Sequence, residues 1–273
     1  MLDARVMRIA WVIRLNDAGK MEATFQGEGS CCSNAYGCGA LMRKELMMQY
    51  EIIGGNFPAV VCHLQAGEAM KTESGSMIWM DPVMTMETSG GGIGKMFGKM
   101  FSGESLFQNI YRAQAPGKVA FGSTFPGEIL PLQISPGHDF IVQKAGFLCS
   151  EPGVELSVHF NQKLGGGFFG GEGFIMQRLS GNGLAFVECD GSLAKYDLQP
   201  GQQIIVDTGN VLGFTAGVQM QVERVKGVKN LVLGGEGLFN TKLTGPGQVW
   251  LQTMPLSSFV GTIAAYLPTG GSQ

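Results

Sequence analysis

Charge is scarce in this chain. Only 15% of its 273 residues are charged, the basic ones are scattered, and the formal net charge is -3. That balance offers no electrostatic footprint for a phosphate backbone, which excludes nucleic acid as a partner. Histidine is down to His63, His138 and His159, with no HxH or HxxxH spacing and no adjacent cysteine, so no metal site is expected. The six cysteines, Cys31, Cys32, Cys38, Cys62, Cys149 and Cys189, form no CxxC pair, which fits free thiols in a reducing cytoplasm. A GxSxG elbow is missing. The loop Gly90-Gly91-Gly92-Ile93-Gly94-Lys95 lacks the phosphate-cradle spacing and has Met96 where a magnesium-binding hydroxyl should stand. Nothing brings a nucleophile, a base and an orienting group together, so the expectation is no enzyme and no cofactor. No apolar run approaches the roughly 18 residues of a membrane helix. Arg5, Arg8 and Arg14 interrupt the start, which is therefore no secretory signal, while Asp3, Asp17 and Glu22 count against a mitochondrial transit peptide.

What the chain has in abundance is hydrophobic residues, at 44%, and 43 glycines spread without a collagen period. Short apolar runs between dispersed turn-formers predict an all-β chain with a sizeable core. Residues 1–46 share no pattern with the remainder and read as a poorly ordered or mis-called N-terminal extension. Residues 47–273 read as one β domain.

That domain repeats itself. An apolar strand closes on a turn three times, as FPAVVCHLQAG from Phe57 to Gly67, GEILPLQISPG from Gly127 to Gly137 and GSLAKYDLQPG from Gly191 to Gly201. Ala66, Pro136 and Pro200 precede the closing glycines. A little later Gly75, Gly146 and Gly209 interrupt apolar segments, the mark of a bulge or turn. Gly-Glu pairs then place Glu104, Glu172 and Glu236 at intervals of 68 and 64 residues. Each leads into a strand, a tight turn ending at Gly117, Gly183 or Gly247, and another strand, which predicts three β-hairpins. Repeats at about 50–122, 123–190 and 191–254 thus predict short antiparallel strands in a sandwich-like or barrel-like pseudo-threefold domain. The tail LSSFVGTIAAYL predicts a short C-terminal helix.

The runs GEAMKTESGSMIWMDP, GGIGKMFGKMFSGESLFQN, ISPGHDFIVQKAGFL, GGGFFGGEGFIMQRLSG and GGEGLFNTKLTGPGQVWLQTMP occur in that order. Together they resemble the bacterial relatives of the eukaryotic mitochondrial biogenesis protein altered inheritance of mitochondria 24. The resemblance implies a fold similar to that of the tryptophan RNA-binding attenuation protein, without its RNA binding. It also implies no established enzymatic activity, eukaryotic relatives linked to mitochondrial inner-membrane organisation, and for this chain a bacterial cytoplasmic protein.

Two surfaces remain as candidates. Ile93, Lys95, Met96, Phe97, Lys99, Met100 and Phe101, with Phe168 and Phe169 in the second repeat and Leu231 and Leu233 in the third, put apolar glycine-rich loops beside basic residues. Exposed, they would seat on a membrane surface or a protein partner; buried, they would plug the core or a subunit interface. Glu104, Glu172 and Glu236 would converge on a cation or small ligand, or else each would cap its glycine turn. The leading expectation is a non-enzymatic, homo-oligomeric scaffold peripheral to membrane. The alternative is a small-ligand or cation-binding β domain.

Overall fold

Strands dominate wherever the chain's backbone is traced. The structure, a computed structural model, describes residues 11–15, 21–25, 48–73, 75–90, 107–162, 173–224, 239–264 and 266. The chain divides into two compact units, Met1–Met47 and Met48–Gln273. In the first, β1 (Trp11–Leu15) and β2 (Met21–Phe25) pair antiparallel, with Trp11 opposite Phe25 and Leu15 opposite Met21.

The second unit opens with β3 (Gln49–Ile53) and then runs through three copies of one six-strand repeat. The first is β4 (Ala59–Leu64), β5 (Ala69–Thr72), β6 (Met77–Met80), β7 (Met84–Gly90), β8 (Phe107–Ala113) and β9 (Gly117–Gly122). The second is β10 (Gly127–Ile134), β11 (Phe140–Gln143), β12 (Phe147–Ser150), β13 (Val154–Gln162), β14 (Phe174–Gly181) and β15 (Gly183–Asp190). The third is β16 (Leu193–Leu198), β17 (Gln203–Asp207), β18 (Val211–Thr215), β19 (Gln219–Arg224), β20 (Phe239–Thr244) and β21 (Gly247–Gln252). Among the described residues one α-helix, α1 (Leu256–Ala264), follows them. The class is all-β, and none of the sheets closes into a barrel among the described residues.

Pairing is the same in every repeat. The sixth strand lies between the first and third, and the fifth between the second and fourth, giving two three-stranded halves that face each other as a sandwich. The halves of successive repeats then fuse edge to edge. β12 joins β5 and β18 joins β11, producing six-stranded sheets in the orders β10-β15-β12-β5-β8-β7 and β13-β14-β11-β18-β21-β16. A sheet shared by two repeats has a core on each side. On β15, Leu184 and Phe186 enter the first core while Ala185, Val187 and Cys189 enter the second, so the strand is apolar at nearly every position instead of alternating.

The turns follow from local chemistry. Gly67, Gly137 and Gly201 adopt φ of +89°, +82° and +79°, and the residues after them donate N–H to Gln65, Ser135 and Gln199 carbonyls. Proline or alanine before a left-handed glycine, with an i to i+3 bond around them, is the signature of a type II turn. Gly146 and Gly209 sit in 3-10 turns at the corner between the second and third strands. A side chain at Gly146 would stand 2.9 Å from Leu212 Cδ1, which explains the absence of one.

The three predicted hairpins are corrected. β8 and β9, β14 and β15, and β20 and β21 are adjacent in sequence but belong to opposite halves of their sandwiches. The reason lies in what holds each turn. The N–H groups of Lys118, Leu184 and Gln248 donate to Asp81 Oδ2, Glu151 Oε2 and Thr215 Oγ1, the first and last at 2.9 and 3.0 Å. The glycine turn is thereby tied to the third-to-fourth-strand corner, and the chain crosses the core there instead of folding back on its neighbour.

Candidate functional site

The side chains singled out from sequence fall in the connections between the fourth and fifth strands of the repeats. Ile93, Lys95, Met96, Phe97, Lys99, Met100 and Phe101, together with Phe168, Phe169, Leu231, Leu233, Glu104, Glu172 and Glu236, all lie outside the described residues. Among the described residues no group of three or more His, Cys, Asp or Glu could hold a metal ion.

The described structure gathers polar groups elsewhere, at the seam between the first and second repeats. Lys71 on β5 is buried and stands opposite Ser150 on β12. Burial lowers its pKa, while Glu155 and Glu73 favour its charged form. Gln177 donates through Nε2 to both carboxylate oxygens of Glu73, at 3.1 and 3.2 Å, and Thr72 Oγ1 donates to the Leu148 carbonyl at 2.8 Å. Ser150 Oγ and Gln177 Oε1 are buried with no hydrogen-bond partner. At the matching place the second seam is apolar, with Ile141 opposite Phe214. A buried lysine is tolerated only where its charge is compensated, and here one carboxylate comes from each repeat, tying the two together. This cluster was not legible in sequence, because Lys71 and Glu155 are brought together only by the fusion of sheets.

A buried carboxylate, Glu188 on β15, fastens the link between the first two repeats. It accepts from Ser123 Oγ at 2.7 Å, from Thr124 Oγ1 at 3.0 Å and from the Thr124 N–H. Burial pushes its pKa up, and those three donors oppose the shift. Asp190, also raised by burial, accepts the Leu256 N–H at 2.7 Å and so holds the start of α1. The free thiols Cys62, Cys149 and Cys189 are buried; burial pushes Cys189 up to about 12 and, together with the neighbouring Cys62, drives Cys149 well upward. Cys149 and Cys189 are therefore protonated, unreactive core thiols at neutral pH.

Large apolar side chains are exposed in several places, among them Tyr50, Ile52 and Ile53 on β3 and Phe57 just after it, besides α1 and two edge strands. α1 presents Leu256, Phe259, Val260 and Ile263 at the spacing of one helical face, all exposed despite a contact between the Phe259 and Phe125 rings at 5.2 Å. β6 and β17, which end their sheets among the described residues, expose Ile78, Trp79 and Ile205.

The fold is that of an all-β protein built from three copies of one repeat. Over residues 50–254 the sequence matches the family described as Mitochondrial biogenesis AIM24, and the chain belongs to that family. It is similar to an uncharacterized protein of Streptococcus pyogenes serotype M6, at 29% identity over 226 residues that span 79% of this chain and 89% of the relative. It is also similar to a Streptococcus pyogenes protein solved by X-ray crystallography, with 26% identity and a TM-score of 0.68, covering 81% of this chain and all of that one.

Proposed function

We propose that this protein is a non-enzymatic, homo-oligomeric scaffold of the cytoplasm that works at a membrane surface or on a protein partner. The observation that carries the reading is the stripe on α1. A nine-residue helix without a single charged side chain is marginal by itself, and an apolar face at positions 256, 259, 260 and 263 normally turns into the core. Here it faces outward, where a lipid headgroup layer or an apolar partner surface would cover it. No described helix is long and apolar enough to cross a membrane, so contact from α1 would be peripheral.

The test is co-sedimentation of the full chain with anionic phosphatidylglycerol vesicles at low salt, beside a Val260→Ser/Ile263→Ser variant and, for the Met/Phe loop, a Phe97→Ser/Phe101→Ser variant. Wild-type pelleting that either variant loses, with circular dichroism unchanged, supports the reading. Wild-type protein left in the supernatant refutes the membrane form of it.

A further inference from the structure

Two of the three seams that the repeat demands are made inside the chain. In each, the third strand of one repeat pairs with the second strand of the repeat before it: β12 with β5, and β18 with β11. Among the described residues the third strand of the first repeat, β6, and the second strand of the last, β17, have no such partner and end their sheets, β3-β4-β9-β6 and β17-β20-β19.

The side chains at these two edges have the chemistry of a seam. A register shift falls at the same place in all three third strands, between Met77 and Trp79, Phe147 and Cys149, and Val211 and Gly213. The residue it skips is 1% exposed as Leu148 and 0% as Leu212, each in the core of the preceding repeat, but Ile78 is 56% exposed. On the other edge, Lys71 and Ile141 are 8% and 1% exposed, whereas their counterpart Ile205 is 68% exposed. Both edges thus display an isoleucine where the internal seams bury the matching side chain. Outer strands are normally protected from pairing by charge or proline. β7, β13, β16 and β19 all carry charged residues and β10 carries Pro131, but β6, reading MIWM, has neither, and β17 has only Asp207 at its end.

We propose that β6 of one molecule pairs antiparallel with β17 of a second copy, head to tail, making between chains the third seam that each chain lacks. The register carries over from the internal seams. Ser150 opposite Lys71 and Phe214 opposite Ile141 place Met80 opposite Ile205, and Gly213 opposite Val142 places Trp79 opposite Val206. Ile78 then enters the partner's third core, and Ile205 covers the partner's first. The contact is heterologous, so it generates rings or open filaments, not a twofold dimer. This deepens the scaffold reading and rests on its self-association, though not on membrane contact.

The experiment uses the full chain in size-exclusion chromatography with light scattering, at several concentrations. Wild type should exceed the 29.1 kDa of one chain. Ile78→Lys and Ile205→Lys should each run as monomers, both changes being on exposed positions. Mixed one to one, they should form a species of two chains and nothing larger, because one variant keeps a working β17 edge and the other a working β6 edge. Should either variant fail to fold by circular dichroism, oxidative cross-linking takes its place, with Met80→Cys on one copy and Ile205→Cys on another giving a dimer band only in the mixture. Wild-type multimers that both lysine variants leave intact would overturn the seam while sparing the scaffold reading. A monomeric wild type overturns self-association altogether. An intrachain link in a chain carrying both cysteines, with no dimer band, would mean that the molecule closes on itself and would overturn the second copy as occupant.

Discussion

Alanine placed at Gly67, Gly137 or Gly201 tests whether the three turns are one device used three times. All three have φ near +80° to +90°, where a Cβ is strained against its own backbone, and none has any atom within 4 Å of the position a Cβ would take. The cost is therefore conformational only, about 1–2 kcal/mol per site, with no steric contribution from neighbours. The sites lie in separate repeats with separate partners, so the costs should add to about 3–6 kcal/mol in the triple variant. That is a large part of the ~5–15 kcal/mol that stabilises most domains. For a domain of this size each single change should lower the thermal midpoint by about 2–8 °C. Urea denaturation of the singles and the triple reads the result. Three unequal costs, or a triple variant as stable as wild type, would refute the reasoning, since it derives all three effects from one backbone geometry.

Other outcomes follow from the same structure. Ala66→Pro should stabilise the protein by about 0.4–1 kcal/mol in the same denaturation assay, because Pro136 and Pro200 show that this turn position needs no N–H. Leu148→Ala should cost about 2–5 kcal/mol, while Ile78→Ala at the matching position of the first repeat should stay within about 0.5 kcal/mol in the dissociated monomer; equal costs would contradict their different burial. Glu188 has its folded pKa raised above the ordinary 4.5, so the folded state binds a proton more readily than the unfolded one. Its contribution is present below pH 4.5 and lost as pH rises through the raised value, and Glu188→Gln should flatten that fall in chemical-denaturation midpoints.

Much of this molecule was determined locally and could be read from sequence. The Pro-Gly and Ala-Gly turns at positions 66–67, 136–137 and 200–201 set their own backbone angles, and their recurrence, each closing an apolar strand of matching length, revealed three copies of a β repeat before any contact was known. The last stretch, with apolar residues at 256, 259, 260 and 263, likewise announced its helix. Partners were another matter. A glycine turn between β14 and β15 has the same appearance whether the strands pair or cross a core, and the choice was made by Glu151, which is distant in sequence from the N–H it accepts. The same holds for burial: Ile78, Leu148 and Leu212 are near-equivalent apolar residues at one repeat position, and only the fusion of sheets between repeats hides two of them and leaves the third in solvent. Local backbone preference is encoded within a few residues, whereas which edge meets which is decided by surfaces that exist only after the sheets have formed.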